Sequence, residues 1–363
     1  MGTDVGASIR RERTRLGWTQ PQLARAVCRE ARVQGDPVGR QEISRWETGK
    51  RKPREWLPFI AAALGISVDV LTGAPFSPSD DSPHIEAQRR AGWMLGHGSA
   101  HGGNHVADAA VQVWRSAQAE ISEEDKFALS VAAELGEVAG WLLFDAGRDD
   151  EAHSAFMSAQ LHSRLAGDAP LSSFILDMLC MASIGRGTPG ESLAISGEIL
   201  GGTGSRPHMA LMAHVRRARA LAMTGDRARA LDAIQRAEGG LDDSVREDVP
   251  EYLRWIDRAE VDMHHGETLL ALDSPHEALP YIQRATAGVL TGGRRELGVL
   301  VCELDTLVRL HAWRDVDDAL RRMAPILRRV SSDRHSRRLR SSLRVISEKG
   351  PAWLADSARE CAA

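Results

Sequence analysis

Apolar residues fall every three or four positions in the opening stretch of the chain, the spacing of one helix face. Val5, Ile9 and Leu16 stand among arginines between Asp4 and Leu16, which predicts a short amphipathic helix closing near Gly17. Thr19-Gln20-Pro21-Gln22 is a capping-box pattern with Pro in the first turn, opening a second helix through Leu23, Ala26 and Val27. A third helix starts around Gly39, turns Ile43 and Trp46 inward and ends at Gly49. Glu55 to Leu64 predicts a fourth, ending at Gly65, and Ser67 caps a fifth, Val68 to Leu71, closed by Gly73. Trp18, Ile43, Trp46 and Leu64 are core candidates, because apolar residues at helical spacing pack.

Thr72 to Pro83 (T-G-A-P-F-S-P-S-D-D-S-P) is rich in Pro, Ser and Asp and reads as a flexible boundary. Gly92 to Asn104 follows, with His97, His101 and, just beyond, His105 among glycines at 92, 96, 98, 102 and 103. A spacing of four would align the imidazoles on a helix, but this much Gly predicts a loop. No carboxylate or Cys completes a ligand set there, so no metal is expected. The expected division is a head at residues 1–74, a linker at 75–104 and a body at 105–363.

From about Val106 onward the pattern is helical throughout, without strand-like alternation, so the fold class predicted is all-α. A small-large-small trio recurs in the body. It is Ala152, Phe156, Ala159 in G-R-D-D-E-A-H-S-A-F-M-S-A, and Ala230, Ile234, Ala237 in G-D-R-A-R-A-L-D-A-I-Q-R-A. It returns as Ala278, Ile282, Ala285 in S-P-H-E-A-L-P-Y-I-Q-R-A, with weaker copies at Gly187 to Ser196 and Trp313 to Ile326. The intervals are 78, 48 and 41, the first splitting into 40 and 38 at the copy near Ser192. The body resembles a degenerate tetratricopeptide array, an α-solenoid of helix pairs stretched beyond the usual period of about 34 residues. Stacked pairs present a concave face suited to a peptide, a small ligand or a protein. Arg321 to Arg344 carries nine arginines with one Asp and is read as a solvated last helix, and Ala352 to Ala363 as a cap or frayed end.

Composition adds a charge asymmetry. The net charge of -4 divides into +5 through Ala74 (13 Lys and Arg against 8 Asp and Glu) and -9 beyond it. A basic head on an acidic body suits nucleic-acid binding by the head alone. Cys28, Cys180, Cys302 and Cys361 are far apart with no CxxC, which fits a reducing cytosol. No apolar stretch nears the roughly 18 residues of a membrane span, and the N-terminal arginines have no apolar run behind them, so neither membrane nor secretion is expected.

G-W-T-Q-P-Q-L-A, then E-I-S-R-W-E-T-G-K-R-K-P, then I-A-A-A-L-G-I-S-V-D-V-L resemble the helix-turn-helix domains of the phage-repressor family, the XRE or Cro/C1 type. The resemblance implies a five-helix head whose third helix reads double-stranded DNA. Its roles carry over to Arg40, Gln41, Ser44 and Arg45 as base contacts. Arg grips guanine and Gln grips adenine with two bonds each, which fits. Gln20, Thr48, Lys50, Arg51 and Lys52 would contact phosphates. Arg13 and Glu47 match an internal ion pair with a structural role. Glu42, between the readers, either points away or accepts from a cytosine amine. One departure stands out: thirteen residues, Val27 to Gly39, separate Ala26 from Arg40, where the motif's turn usually has about three or four. Cys28 to Arg32 read as extra turns on the second helix and Val33 to Pro37 as an enlarged connection.

As a whole the chain resembles actinobacterial regulators with a repressor-like head on a repeat body and, more distantly, the peptide-pheromone receptors of Gram-positive bacteria. Those resemblances imply a cytoplasmic transcription regulator, at the nucleoid when bound to DNA. They imply a homodimer on a two-fold symmetric operator, whose body answers to a peptide, small ligand or protein. The alternative is a protein-interaction adaptor with weak or non-specific DNA binding, which the enlarged connection favours. No cofactor is expected. Nor is an enzyme, since the sequence has no nucleophile elbow, phosphate-binding Gly loop with Lys, or metal-spaced cluster.

Overall fold

A computed structural model describes residues 5–15, 18–30, 38–53, 56–64, 83–119, 121, 125–202, 206–246, 256–289 and 293–362. Among these residues every regular element is a helix, and the chain divides into two compact units, Met1–Ile85 and Glu86–Ala363. The architecture is a helix-turn-helix head and a solenoid of helix pairs.

The head holds α1 (Val5–Arg15), α2 (Gln20–Glu30), α3 (Arg40–Glu47) and α4 (Leu57–Leu64). Ile9, Leu23, Val27, Ile43, Trp46, Ile60 and Leu64, one or two from each helix, form its buried core, with Trp18 packed against it. The start of α2 follows its capping pattern: Gln22 Oε1 accepts from Thr19 N at 2.7 Å and from Thr19 Oγ1 at 2.8 Å. α1 approaches the end of α3 so closely that a Cβ at Gly6 would lie 2.3 Å from the Trp46 carbonyl oxygen, so only glycine fits there. Cys28 Sγ donates to Val38 O at 3.6 Å across the enlarged connection. The connection's residues 31–37, the expected fifth helix and the boundary at 72–82 lie outside the described residues.

The second unit begins within α5 (Pro83–His101), which α6 (Ala107–Ala119) follows. Six helix pairs follow. They are α7 (Lys126–Asp145) with α8 (Asp149–Ala166), α9 (Ala169–Gly185) with α10 (Pro189–Gly201), and α11 (Pro207–Met223) with α12 (Arg227–Gly239). After the short α13 (Leu241–Arg246) come α14 (Arg258–Ala271) with α15 (Pro275–Gly288), α16 (Arg294–Arg309) with α17 (Trp313–Leu327), and α18 (Asp333–Lys349) with α19 (Ala355–Ala362). Contrary to the expectation that no apolar stretch nears a membrane span, α7 is long and apolar enough to cross one, but 78% of its apolar stretch is buried within the unit, as in a core helix.

The trios lie on the second helices α8, α12 and α15, and all nine residues are fully buried. Two of the large members, Phe156 and Ile282, meet a helix surface that a glycine leaves open. A Cβ at Gly140 of α7 would lie 2.6 Å from Phe156, and one at Gly266 of α14 would lie 2.4 Å from Ile282. The turns inside the first five pairs each hold one left-handed residue: Gly147, Gly187, Gly225, Asp273 and His311.

Gly92 to His101, expected as loop, is the second half of α5. Each interior Gly costs about 1 kcal/mol of helix propensity; close packing requires it at Gly98, where a Cβ would be 2.5 Å from Leu142 Cδ2 on α7, whereas a Cβ at Gly92 or Gly96 would meet nothing within 4 Å. Trp93, His97 and His101 stack along one face at 5.2 and 4.6 Å.

The solenoid closes on itself. Its first helices α7, α9, α11, α14, α16 and α18 pack side by side in that order, and α18 returns to touch α7. The seam is hydrogen-bonded. Ser331 N donates to His101 O at 2.7 Å, Asn104 Nδ2 donates to Ser331 Oγ and Asp333 Oδ1 at 2.9 Å each, and Asn104 Oδ1 accepts from Asp333 N at 3.1 Å. Gly102, at φ +85°, passes where a Cβ would sit 2.1 Å from Ser331 O. Simple solenoid repeats touch only their neighbours; here the end repeats meet.

Candidate nucleic-acid interface

Gly39, extended at φ -107° and ψ 178°, starts α3 without a side-chain cap. Ile43 and Trp46 are then driven into the core, 0% and 2% exposed, which forces the opposite face of a short helix outward. Arg40 and Gln41 on the first turn are exposed, Ser44 is half-buried and Arg45 is exposed. Gly49, at φ +69°, ends the helix in the left-handed conformation and leads into exposed Lys50, Arg51 and Lys52. Thr48 is tied to the end of the helix, its Oγ1 donating to Ser44 O at 2.7 Å.

The face carries its own electrostatic arrangement. Glu42 accepts from Arg45 Nη1 at 2.5 Å and from Arg51 Nη1 at 2.9 Å, bridging one candidate base reader and one candidate phosphate contact. The bridge is partly legible beforehand, because Glu42 and Arg45 are three apart on one helix; Arg51 is brought back only by the Gly49 turn. Among the described residues Arg40, Gln41, Lys50 and Lys52 form no side-chain hydrogen bond or ion pair.

Arg13 and Glu47 join α1 to α3, with Nε to Oε1 at 2.5 Å and Nη2 to Oε2 at 3.2 Å. Arg13 Nη1 also donates to Trp18 O at 2.5 Å. Gln20 belongs to this group: it is half-buried, and its Nε2 donates to Glu47 Oε2 at 2.8 Å. The buried Glu47 carboxylate is thereby satisfied by two side chains. The residues fall into two sets. Arg40, Gln41, Ser44, Arg45, Thr48, Lys50, Arg51 and Lys52 lie on α3 and the turn after it; Arg13, Gln20 and Glu47 brace the helices beneath. An exposed α3 face with a cationic turn behind it has the chemistry to meet base edges and a phosphate backbone.

No family model and no curated protein matches the chain. Among solved structures it is similar to PlcR of Bacillus thuringiensis, determined in complex with the peptide PapR7 and DNA. The identity is 15% and the TM-score 0.38, over 89% of this chain and 94% of that one.

Proposed function

We propose that this chain is a sequence-specific DNA-binding transcription regulator of the XRE type, with α3 as the reading helix and the helical-repeat body as its sensing and dimerisation domain. The observation that carries the reading is the division of α3 into a buried face, Ile43 and Trp46, and an exposed face that begins with Arg40 and Gln41. Lys50 and Lys52 add uncompensated positive charge beside it, which an anionic backbone neutralises. In this reading the protein is cytoplasmic, non-enzymatic and homodimeric. Two heads then meet half-sites about 34–36 Å apart, and a ligand on the body that alters their spacing changes operator affinity.

Selection from random-sequence DNA followed by a gel shift tests the proposal. Recovery of a shared two-fold symmetric site is the expected result. Binding without sequence preference favours the adaptor, the second reading, which draws support from Glu42 and Glu47: they hold Arg45, Arg51 and Gln20 in internal contacts.

A further inference from the structure

The centre of the helical ring is charged. Arg216 on α11 grips Asp177 on α9 with two bonds of 2.9 Å, both side chains buried. Glu267 on α14 accepts from Arg219 on α11 and, at 2.7 Å, from Arg338 on α18. Arg338 reaches Asp305 on α16 at 3.0 Å. His264 stands 3.4 Å from both Arg216 and Arg219, and burial lowers it to about 4 against the opposing pull of Glu260 at 3.3 Å. These arginines have carboxylate partners.

Two others near the seam do not match up in this way. Arg294 on α16 lies over Trp141 and Arg334 on α18 over Phe144, each with its Cζ 4.6 Å from the ring centre. The carboxylate within reach of Arg294 is Asp145, 3.7 Å away, and both Asp145 oxygens already accept from Gly103 N and Ser332 Oγ. Arg294 Nε is buried without an acceptor. Among the described residues Arg334 has no ion pair or hydrogen bond from its side chain. It also occupies the first turn of α18, where the helix dipole opposes a cation and favours an anion. Burial first, then the Arg294 charge, lowers Arg334 to about 10. Both side chains keep accessible surface; Arg294 is 16% exposed. A guanidinium whose carbon lies over an aromatic ring still has N–H groups to offer an oxyanion.

We propose that Arg294 and Arg334 form a binding site inside the helical ring for a small polyanion, a molecule with more than one phosphate or carboxylate group. The site rests on the reading of the body as a sensor and names the chemistry it senses. It also reassigns the arginine-rich stretch from Arg321 to Arg344: the half-buried Arg334 and Arg338 turn into the ring, although the sequence suggests a solvated helix.

Isothermal titration of the full chain with inorganic pyrophosphate and, separately, with citrate tests the site. Binding is expected, weakened by about tenfold or more in Arg334→Met and in Arg294→Met. It is retained in Arg321→Met, whose residue is exposed and paired with Asp317. Tighter pyrophosphate binding assigns phosphate chemistry, and tighter citrate binding assigns carboxylate chemistry. Without anion, Arg334→Met melts at or above the wild-type temperature, since it removes a cation that no carboxylate pairs with directly. Absence of binding by either anion, or unchanged affinity in folded Arg334→Met, overturns the site. The DNA selection stands apart from this: an operator recovered without anion binding removes the site and leaves the regulator.

Discussion

Ser332 Oγ donates to Asp145 Oδ1 at 2.9 Å, joining two residues 187 positions apart in the sequence. The other Asp145 oxygen accepts from Gly103 N at 2.7 Å, so one fully buried carboxylate ties α7, the turn after α5 and the start of α18 together. Asp145→Ala leaves the Gly103 N–H without its acceptor and removes the carboxylate nearest Arg294, a loss of about 2–4 kcal/mol. Ser332→Ala removes one hydroxyl, about 1 kcal/mol. Calorimetric melting should show a clear drop for the first and a small one for the second. Hydrogen exchange at Gly103 and Ser331 should speed up in both variants ahead of exchange in α8. Equal melting of all three proteins would show that the seam does not hold the ring closed.

The repeat was legible where its small residues are invariant in size, because Ala152, Ala230 and Ala278 are fully buried on the second helices of their pairs. It was obscured at the turns, where Asp273 and His311 take the left-handed position that glycine fills at 147, 187 and 225. Ring closure was not legible at all. Gly98, Gly102 and Gly103 look like loop residues in the sequence, and only the position of α7 and Ser331 explains why each lacks a side chain. In the head, hydrophobic spacing was enough to orient α3. The partners of Glu42 and Gln20 required the path of the chain beyond Gly49 and the approach of α2 to Glu47.

Glu137 is buried on α7, and burial first, then the nearby Glu134 charge, pushes it up to about 8 from 4.5. A carboxyl raised on folding favours the folded state below its unfolded value and loses that advantage as pH rises through the folded one. Stability should therefore decline between about pH 4.5 and pH 8. Glu137→Gln keeps the shape without the ionisation. Its melting temperature should exceed that of wild type at pH 8, by several degrees on the order of magnitude expected for a few kcal/mol. The gap should narrow toward pH 5. A pH-independent gap would assign the effect to packing instead.

Under the proposed function, Glu42 would compete with DNA for Arg45 and Arg51, which it holds at 2.5 and 2.9 Å, and would repel phosphate itself. Glu42→Gln should tighten binding to random-sequence DNA by about twofold to fivefold at low salt, an advantage that fades as salt screens it. Fluorescence anisotropy over a salt series reads both effects. Weaker binding by this variant would mean that Glu42 positions the two arginines for DNA and does not withhold them.

Arg40 and Lys52 lie at opposite ends of the proposed reading element, one on the first turn of α3 and one past Gly49. A base contact and a phosphate contact leave different signatures. Arg40→Ala should cost about 1–3 kcal/mol at the selected site and relax one base position, with little change on random DNA. Lys52→Ala should weaken every sequence alike and lower the salt slope by about one. Competition gel shifts with the selected site, its single-base variants and random duplex separate the two. Equal losses on specific and random DNA in both variants would reduce the α3 face to an electrostatic surface and remove its assignment as a reader of sequence.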